Sequence, residues 1–411
     1  MVSLLNHEDR EGDVIYYANR GLASLFLRAY APAGSWDVRK TGVPLCLCTE
    51  QFAQMGRILI RGAVVILALL LAAAVVGLSY RAWRQHEVAQ TLAVTTPDGI
   101  DEGSFVRIGG IDQYITVRGD HHSNPVILFV HGGPGDSMVP FAQIYRPWER
   151  YFTLVQWDQR GAGRTFGLNG TNEAPMTMDR MVRDGIEVAQ YLRAHLRKDK
   201  VILLCHSFGT VLGIQMVKRR PDLFAAYVGT GQVVAKAEKE RILYARLMKR
   251  LEAAHDEAGI AKLKTVTAPY HSEAELQVER AVTGRFDPPS ERGLRRMLTP
   301  VVLYAPNYSL RDIYDFTHAA AYVGEAIFPQ QLPYDARKLG PRFDLPFFIF
   351  EGEADSITPP DLAKAYFDSV QAPVKGWATF KDVGHSAVLL KPDEFLGELL
   401  RRVRPLAVHK N

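Results

Sequence analysis

A chain of 411 residues has room for two or three domains of about 150 residues, or for one large α/β domain carrying an insertion. Its 47% apolar and 23% charged residues exclude a disordered chain, a collagen and a coiled coil. A net charge of +4 spread over this length is no nucleic-acid-binding face, and three cysteines give no disulfide framework. Cys46 and Cys48 stand too close together to bridge usefully, and a lone C-x-C is a weak metal motif.

Residues 1–54 carry scattered Gly and Pro without periodicity, and are expected to be a poorly ordered N-terminal extension or an overlong reading of the frame. Met55-Gly-Arg-Ile-Leu-Ile-Arg would itself make a natural start, a short basic region before an apolar run. Gly62 to Tyr80 is 19 residues without a charge. As a helix at about 1.5 Å per residue it spans about 28 Å, close to the ~30 Å hydrocarbon core of a bilayer. Arg57 and Arg61 precede it and Arg81 and Arg84 follow, so residues 57–84 are expected to form one transmembrane helix with its flanks, seated in membrane lipid. The flanking charges tie, but a start at Met55 favours a large domain outside the cytoplasm.

Beyond Arg84 strands and helices alternate. Ser104–Ile108 and Asp112–Val117 read as a hairpin turned by Gly109-Gly110. Pro125–Val130, Thr153–Trp157, Val201–Cys205 and Ala225–Gly229 are short apolar runs, with a helical pattern over Met181–Arg197 among them. Phe347–Glu351 and Trp377–Phe380 resume the series, followed by helices near Pro360–Val370 and Pro392–Val403. Near-continuous apolar strands between helices mean a mostly parallel sheet buried on both faces.

The gap in that series, residues 232–342, reads as helical, with Leu243, Leu247 and Leu251 on one face. It is expected to be a cap inserted over the sheet's C-terminal edge, between core segments 100–231 and 343–411. The aromatic residues of its second half (Tyr304, Tyr308, Tyr314, Phe316, Tyr322 and Phe328) read as cap core rather than a substrate cradle.

Four segments carry chemistry. Cys205-His206-Ser207-Phe208-Gly209 approximates G-x-S-x-G between a strand and a helix, where a tight turn exposes a serine Oγ above the helix N-terminus. His131-Gly132-Gly133-Pro134-Gly135 directly follows a strand, and its glycines free backbone N–H groups to face a developing oxyanion. The pair expected to do so is Gly133 with Phe208, Gly132 being a near alternative, while His131 braces the loop. Asp355 lies past Phe347–Glu351 on a loop closing at Pro359, with Glu353 as the rival acid. His385 follows the last strand, completing the chain order serine, acid, histidine. His206 is a poor rival base, since a residue adjacent to the nucleophile is expected to point away from it.

With these motifs in hand, the chain resembles the prolyl iminopeptidase-like branch of the α/β-hydrolases from about residue 104 onward. The resemblance rests on His131–Gly135, on Trp157–Thr165 (WDQRGAGRT) and on the turn around Ser207. It implies the α/β-hydrolase fold with an inserted helical cap, preceded here by one transmembrane helix. It also implies that Asp158 and Arg160 help build an active-site wall, and that acids in the cap hold a substrate's free α-amino group. Candidates for the last role are Glu238, Glu240, Glu252, Glu273, Glu275 and Glu325. The chain departs from the family at Cys205 (usually Gly), Phe208 (usually Trp) and Thr165 (usually Ser), and in its membrane helix.

The resulting expectation is a membrane-anchored serine hydrolase with the triad Ser207, Asp355 and His385, needing no metal or organic cofactor and acting on short peptides or aminoacyl amides. An esterase, amidase or lactonase on small lipophilic substrates is the alternative, and a catalytically silent binding protein a third. The sequence does not decide the oligomeric state.

Overall fold

The computed structural model describes residues 45–171, 176–306 and 308–408. Residues 1–44, most of the expected N-terminal extension, lie outside the described residues. The chain divides into two compact units, the first ending at Val76 and the second beginning at Gly77.

One helix, Leu45–Leu92, runs through that boundary. It takes up residues 45–54 and overruns the expected end at residue 84. No proline stands between Pro44 and Pro97, so nothing breaks the hydrogen-bond ladder. Its stretch from Ala53 is long and apolar enough to cross a membrane, an 18-residue window within it having a mean hydropathy of 2.7. Leu69 and Leu70 are 65% and 63% exposed, so among the described residues nothing covers this surface. Within the second unit the helix end is anchored by polar contacts. Arg81 Nε donates to the Leu303 carbonyl at 3.0 Å, and Gln85 Nε2 donates to that of Ala305 at 2.7 Å. Val88 and Leu92 are buried.

Among the described residues, eight strands form one sheet in the order β1-β2-β4-β3-β5-β6-β7-β8. They are β1 (Ile100–Ile108), β2 (Ile111–Gly119), β3 (Val126–Val130), β4 (Thr153–Trp157), β5 (Val201–His206), β6 (Phe224–Thr230), β7 (Phe347–Gly352) and β8 (Lys375–Phe380). The hairpin β1–β2 pairs antiparallel onto β4, and every pairing from β4 across to β8 is parallel. The central strands β3, β4, β5 and β7 are buried along their whole length, as continuous apolar runs require. β1 and β8 are edges with exposed positions, and there the strands extend beyond the apolar residues that announced them.

Helices cover both faces. Met178–Leu196 and Phe208–Arg219 pack Val188, Leu192, Leu212 and Met216 against one side of the sheet. Thr177 caps the first of these by accepting from the Arg180 amide, which starts it three residues before the apolar periodicity does. On the other side Tyr145, Trp148 and Phe395 meet Phe129, Phe350 and Phe380.

Between β6 and β7 the chain leaves the sheet. Helices Lys236–Ala253, Glu257–Leu263, Glu273–Thr283, Leu294–Leu303 and Leu310–Gln331 make up most of this excursion. Its own core joins Leu247 and Leu251 to Leu263, Tyr270, Val282 and Phe328. A bridge between Ala235 and Asp335 brings the two ends back together beside the sheet. The aromatic residues divide: Tyr308 and Phe328 are buried, whereas Tyr314 is exposed.

Trp148 is fully buried, stacks on Phe395 at 5.7 Å and donates its Nε1 to the Pro392 carbonyl at 3.1 Å. Trp148→Ala is expected to cost about 3–5 kcal/mol by urea unfolding. A cost under about 1 kcal/mol would show that this face of the sheet is not the packed core described.

Candidate active site

The turn after β5 sets the geometry. Ser207 sits at φ 52° and ψ −122°, a left-handed backbone that a non-glycine residue adopts only under constraint. The constraint is visible: Ser207 N donates to the Thr230 carbonyl at 2.9 Å, and the Thr210 amide and hydroxyl both donate to the Ser207 carbonyl. Cys205, where the motif usually has glycine, is accommodated across the helix. A Cβ added to Gly213 would lie 2.3 Å from the Cys205 Sγ, so the bare glycine on the helix leaves the space that the thiol occupies. Burial pushes the Cys205 thiol well above its ordinary pKa, so it is inert.

Ser207 and His385 border one cavity of about 430 Å³, together with Gly133, Phe208 and Pro134. His385 reaches it from the loop after β8, where Asp382 turns the chain at φ 57°. Its Nδ1 lies 2.9 Å from Asp355 Oδ2. Asp355 Oδ1 accepts from the amides of Ile357 and Thr358, both at 2.7 Å, and the Thr358 hydroxyl donates to Oδ2 at 2.6 Å. Burial opposes ionisation of this carboxyl, but the His385 ring and the Thr358 donors outweigh it and hold Asp355 below the usual carboxylate range. Glu353, the rival acid, is exposed.

Three neighbours had no recognised sequence signal. A Cβ on Gly231 would sit 2.7 Å from His385 Cε1, so only glycine there, at φ 56°, leaves room for the ring. Glu351 is fully buried at the end of β7 and accepts from the amides of Gly231 (3.0 Å) and Gln232 (2.7 Å), tying β6 to β7 behind Asp355. Burial and the nearby Asp355 push the Glu351 carboxyl well up. A charged residue inside the run FFIFE was the available clue. The third is His206, which does not turn away as expected. Its ring centroid lies 4.9 Å from that of His385, and its Nε2 donates to the His385 carbonyl at 3.1 Å. The positive φ at Ser207 ends the strand's alternation, so residues 206 and 207 both reach the cavity. Burial pushes His206 down to about 3, which keeps it neutral.

The other expected residues stand behind the cavity rather than on it. His131 is buried, its Nε2 accepting from the Gln159 amide while Nδ1 faces the Gly132 carbonyl at 3.0 Å. Gly132 packs directly against Ser207, and Gly135 against the backbone of Ala320. Arg160 is 2% exposed, with Nε on Asp184 at 2.9 Å and Nη2 on the Gly109 carbonyl at 2.8 Å. Asp158 caps the helix Gly163–Asn169 by accepting from the Arg164 amide at 2.8 Å. Both residues therefore brace the wall from inside and do not line it.

Of the cap acids, Glu273 borders the cavity. Glu240 is buried against Lys236 at 2.9 Å, Glu238 pairs with Arg337, Glu275 accepts from the His271 amide, and Glu252 and Glu325 face solvent. From the first glycine-rich loop, Asp136 also borders the cavity, its carboxyl raised to about 6 by burial against the pull of His385. Among the described residues no group of three His, Cys, Asp or Glu side chains is arranged to hold a metal ion.

Comparison with known proteins gives this geometry a context. The model of the family "Serine aminopeptidase, S33" matches residues 121–282, a stretch that ends before Asp355 and His385. The chain is similar to "Probable aminopeptidase YbaC" of Bacillus subtilis, 28% identical over 72% of this chain and 94% of that protein. A proline iminopeptidase of Saccharolobus solfataricus is 32% identical over 28% of this chain and 35% of its own length. Among solved structures, the proline iminopeptidase of Mycobacterium smegmatis superposes with a TM-score of 0.50 at 18% identity, covering 75% of this chain and 99% of that one.

Asp158 offers a test of the buried wall. Burial is the largest influence on it and raises its carboxyl from 3.8 to about 7. A raised folded-state pKa contributes stability that is present below the unfolded value and is lost as pH rises through the folded one. Asp158→Asn removes that loss while keeping an oxygen for the Arg164 amide. Urea midpoints of variant and wild type should therefore diverge in the variant's favour between pH 4 and pH 8. A gap that stays constant would contradict the assignment.

Proposed function

We propose that this α/β-hydrolase belongs with the serine aminopeptidase S33 family, whose model matches residues 121–282, and that Ser207 is its nucleophile, His385 its general base and Asp355 the acid that orients the base. The observation that carries the proposal is the 2.9 Å contact of His385 Nδ1 with Asp355, on a histidine that shares its cavity with Ser207. With Nδ1–H donated to the carboxylate, Nε2 is left bare to take the serine proton as Oγ attacks an acyl carbon. The same nitrogen then protonates the leaving group, and water releases the acyl-enzyme. The N–H groups of Gly133 and Phe208, both on the cavity, are proposed as the oxyanion donors. Losing one such donor costs about 3 kcal/mol of transition-state stabilisation.

The proposed activity is that of an aminopeptidase of prolyl iminopeptidase type on short peptides or aminoacyl amides. The similar Bacillus protein's name supports it, and so do the acids Glu273 and Asp136 at the cavity, which suit an α-ammonium group. A second reading, an esterase, amidase or lactonase on lipophilic acyl compounds, draws on the apolar part of the lining: Met138, Phe141, Leu276, Leu294, Leu298 and Phe316. Turnover of a prolyl naphthylamide against a p-nitrophenyl ester separates the two. The helix Leu45–Leu92 is proposed to anchor the protein in a membrane as a single span, with the hydrolase outside the cytoplasm.

Ser207→Ala is expected to abolish labelling by a fluorophosphonate probe without moving the melting temperature. Undiminished labelling would remove the mechanism. For the anchor, replacing Leu69 and Leu70 together by Lys should move the protein from the membrane pellet to the high-speed supernatant. Lysine at a span's centre costs about 2.5–3.5 kcal/mol per residue, so unchanged pelleting would count against a span.

A further inference from the structure

The cap wall of the cavity carries three basic side chains that the neighbouring cap acids do not all engage in hydrogen bonds. Helices Lys236–Ala253 and Glu273–Thr283 send Lys236, Lys239 and Arg280 to the cavity, with the buried carboxyls of Glu240 and Glu279 behind them. Lys236 has a counter-charge: its Nζ lies 2.9 Å from Glu240 and 4.6 Å from the Phe328 ring centre. Glu240 also accepts from the Tyr270 amide, and Glu279 from the Thr283 hydroxyl.

Lys239 and Arg280 are not satisfied. Lys239 is 5% exposed, yet no hydrogen bond or ion pair within 4 Å reaches it among the described residues. Arg280 Nε stands 3.8 Å from Glu279, and its Nη1 is buried without a hydrogen-bond partner. Lys239, a buried amine with no hydrogen bond or ion pair, is costly to keep charged unless an anion completes it, and the half-buried Arg280 stands on the same cavity with a buried, unpartnered Nη1. The acids that also border the cavity do not serve. Glu273 accepts from Gln277 at 2.7 Å, Asp136 faces His385, and neither pairs with Lys239 or Arg280. Burial first, then Lys236 and Arg280, lower Lys239 to about 7 against the opposing pull of Glu240 and Glu279.

We propose that Lys239 and Arg280 form a carboxylate-binding subsite, and that the substrate acylating Ser207 is a short molecule bearing a carboxylate. The guanidinium of Arg280 supplies the planar fork and Lys239 a point charge beside it. The inference rests on the Ser207 reading above and adds the charge of the substrate to it. Two sources share this chemistry: the C-terminus of a di- or tripeptide, and the free acid of a dicarboxylic monoester. In the first case a zwitterion fits, its ammonium group toward Glu273 or Asp136 and its carboxylate toward the cap cations.

The test uses the full chain in detergent and two matched substrate pairs: a prolyl dipeptide with its C-terminal amide, and the p-nitrophenyl monoester of glutaric acid with p-nitrophenyl pentanoate. In at least one pair, wild-type kcat/KM should favour the carboxylate by about tenfold or more, the size expected of charge-assisted hydrogen bonds. The pair that shows it identifies the source. In Lys239→Met/Arg280→Gln that ratio should fall toward one, chiefly through KM, whereas Lys262→Met, an exposed lysine on the next helix, should leave it unchanged. Free glutarate should compete against the preferred ester or peptide in wild type, a readout that needs no variant. Ratios at or below one in both pairs, from protein whose Ser207 still labels with fluorophosphonate, would overturn the subsite alone. Absence of wild-type labelling would instead overturn the nucleophile assignment beneath it.

Discussion

The site depends on one buried hydrogen bond, that between His385 Nδ1 and Asp355 Oδ2. A carboxylate out of water is unfavourable unless its oxygens are occupied, and here every acceptor direction near the ring is taken. Two amides and the Thr358 hydroxyl fill what His385 leaves. This favours the ionised acid and the imidazole tautomer with its proton on Nδ1, in a histidine that lines the same cavity as Ser207. Glu351, one residue inside the sheet, completes the arrangement. By accepting two amides from the start of the cap excursion, it fixes the position of Gly231, whose missing side chain is the space the ring occupies.

The supports of this bond come from distant parts of the chain: the ends of β5, β6, β7 and β8 and the first glycine-rich loop. They meet because parallel strands deliver all their C-terminal ends to one edge. The cap closes that edge with a wall of mixed character, apolar from Leu276, Leu294 and Leu298 and cationic from Lys239 and Arg280. The end of the long helix touches the same cap at Leu303 and Ala305, so the segment leading to the apolar span is built into the body that carries the cavity.

Much of this was legible before any coordinates. The buried strands announce themselves as short, mainly apolar runs, and Thr153–Trp157 matches its element end to end. Ser207, Asp355 and His385 could be named because each follows such a strand, in an order that only one topology makes sense of. What escaped notice depends on contacts between segments far apart in sequence. The Cys205 substitution looks like a plain departure until Gly213 is seen opposite it. Asp158 and Arg160 read as wall residues, and only their pairings with the Arg164 amide and Asp184 show that they brace from within. The unpaired lysine of the cap is invisible in its helices, where Lys236, Lys239, Glu240, Glu279 and Arg280 look like ordinary solvated positions. Nothing in a 3.6-residue period says that this face is turned inward.

The most direct examination of the whole account is a crystal structure of the protein after inactivation with an organophosphonate. The expected density is a single adduct on the Ser207 Oγ, its phosphoryl oxygen within hydrogen-bond distance of the Gly133 and Phe208 amides, and His385 Nε2 facing the ester oxygen. An adduct on any other side chain, or His385 still tied to Asp355 but turned away from the modified serine, would contradict it.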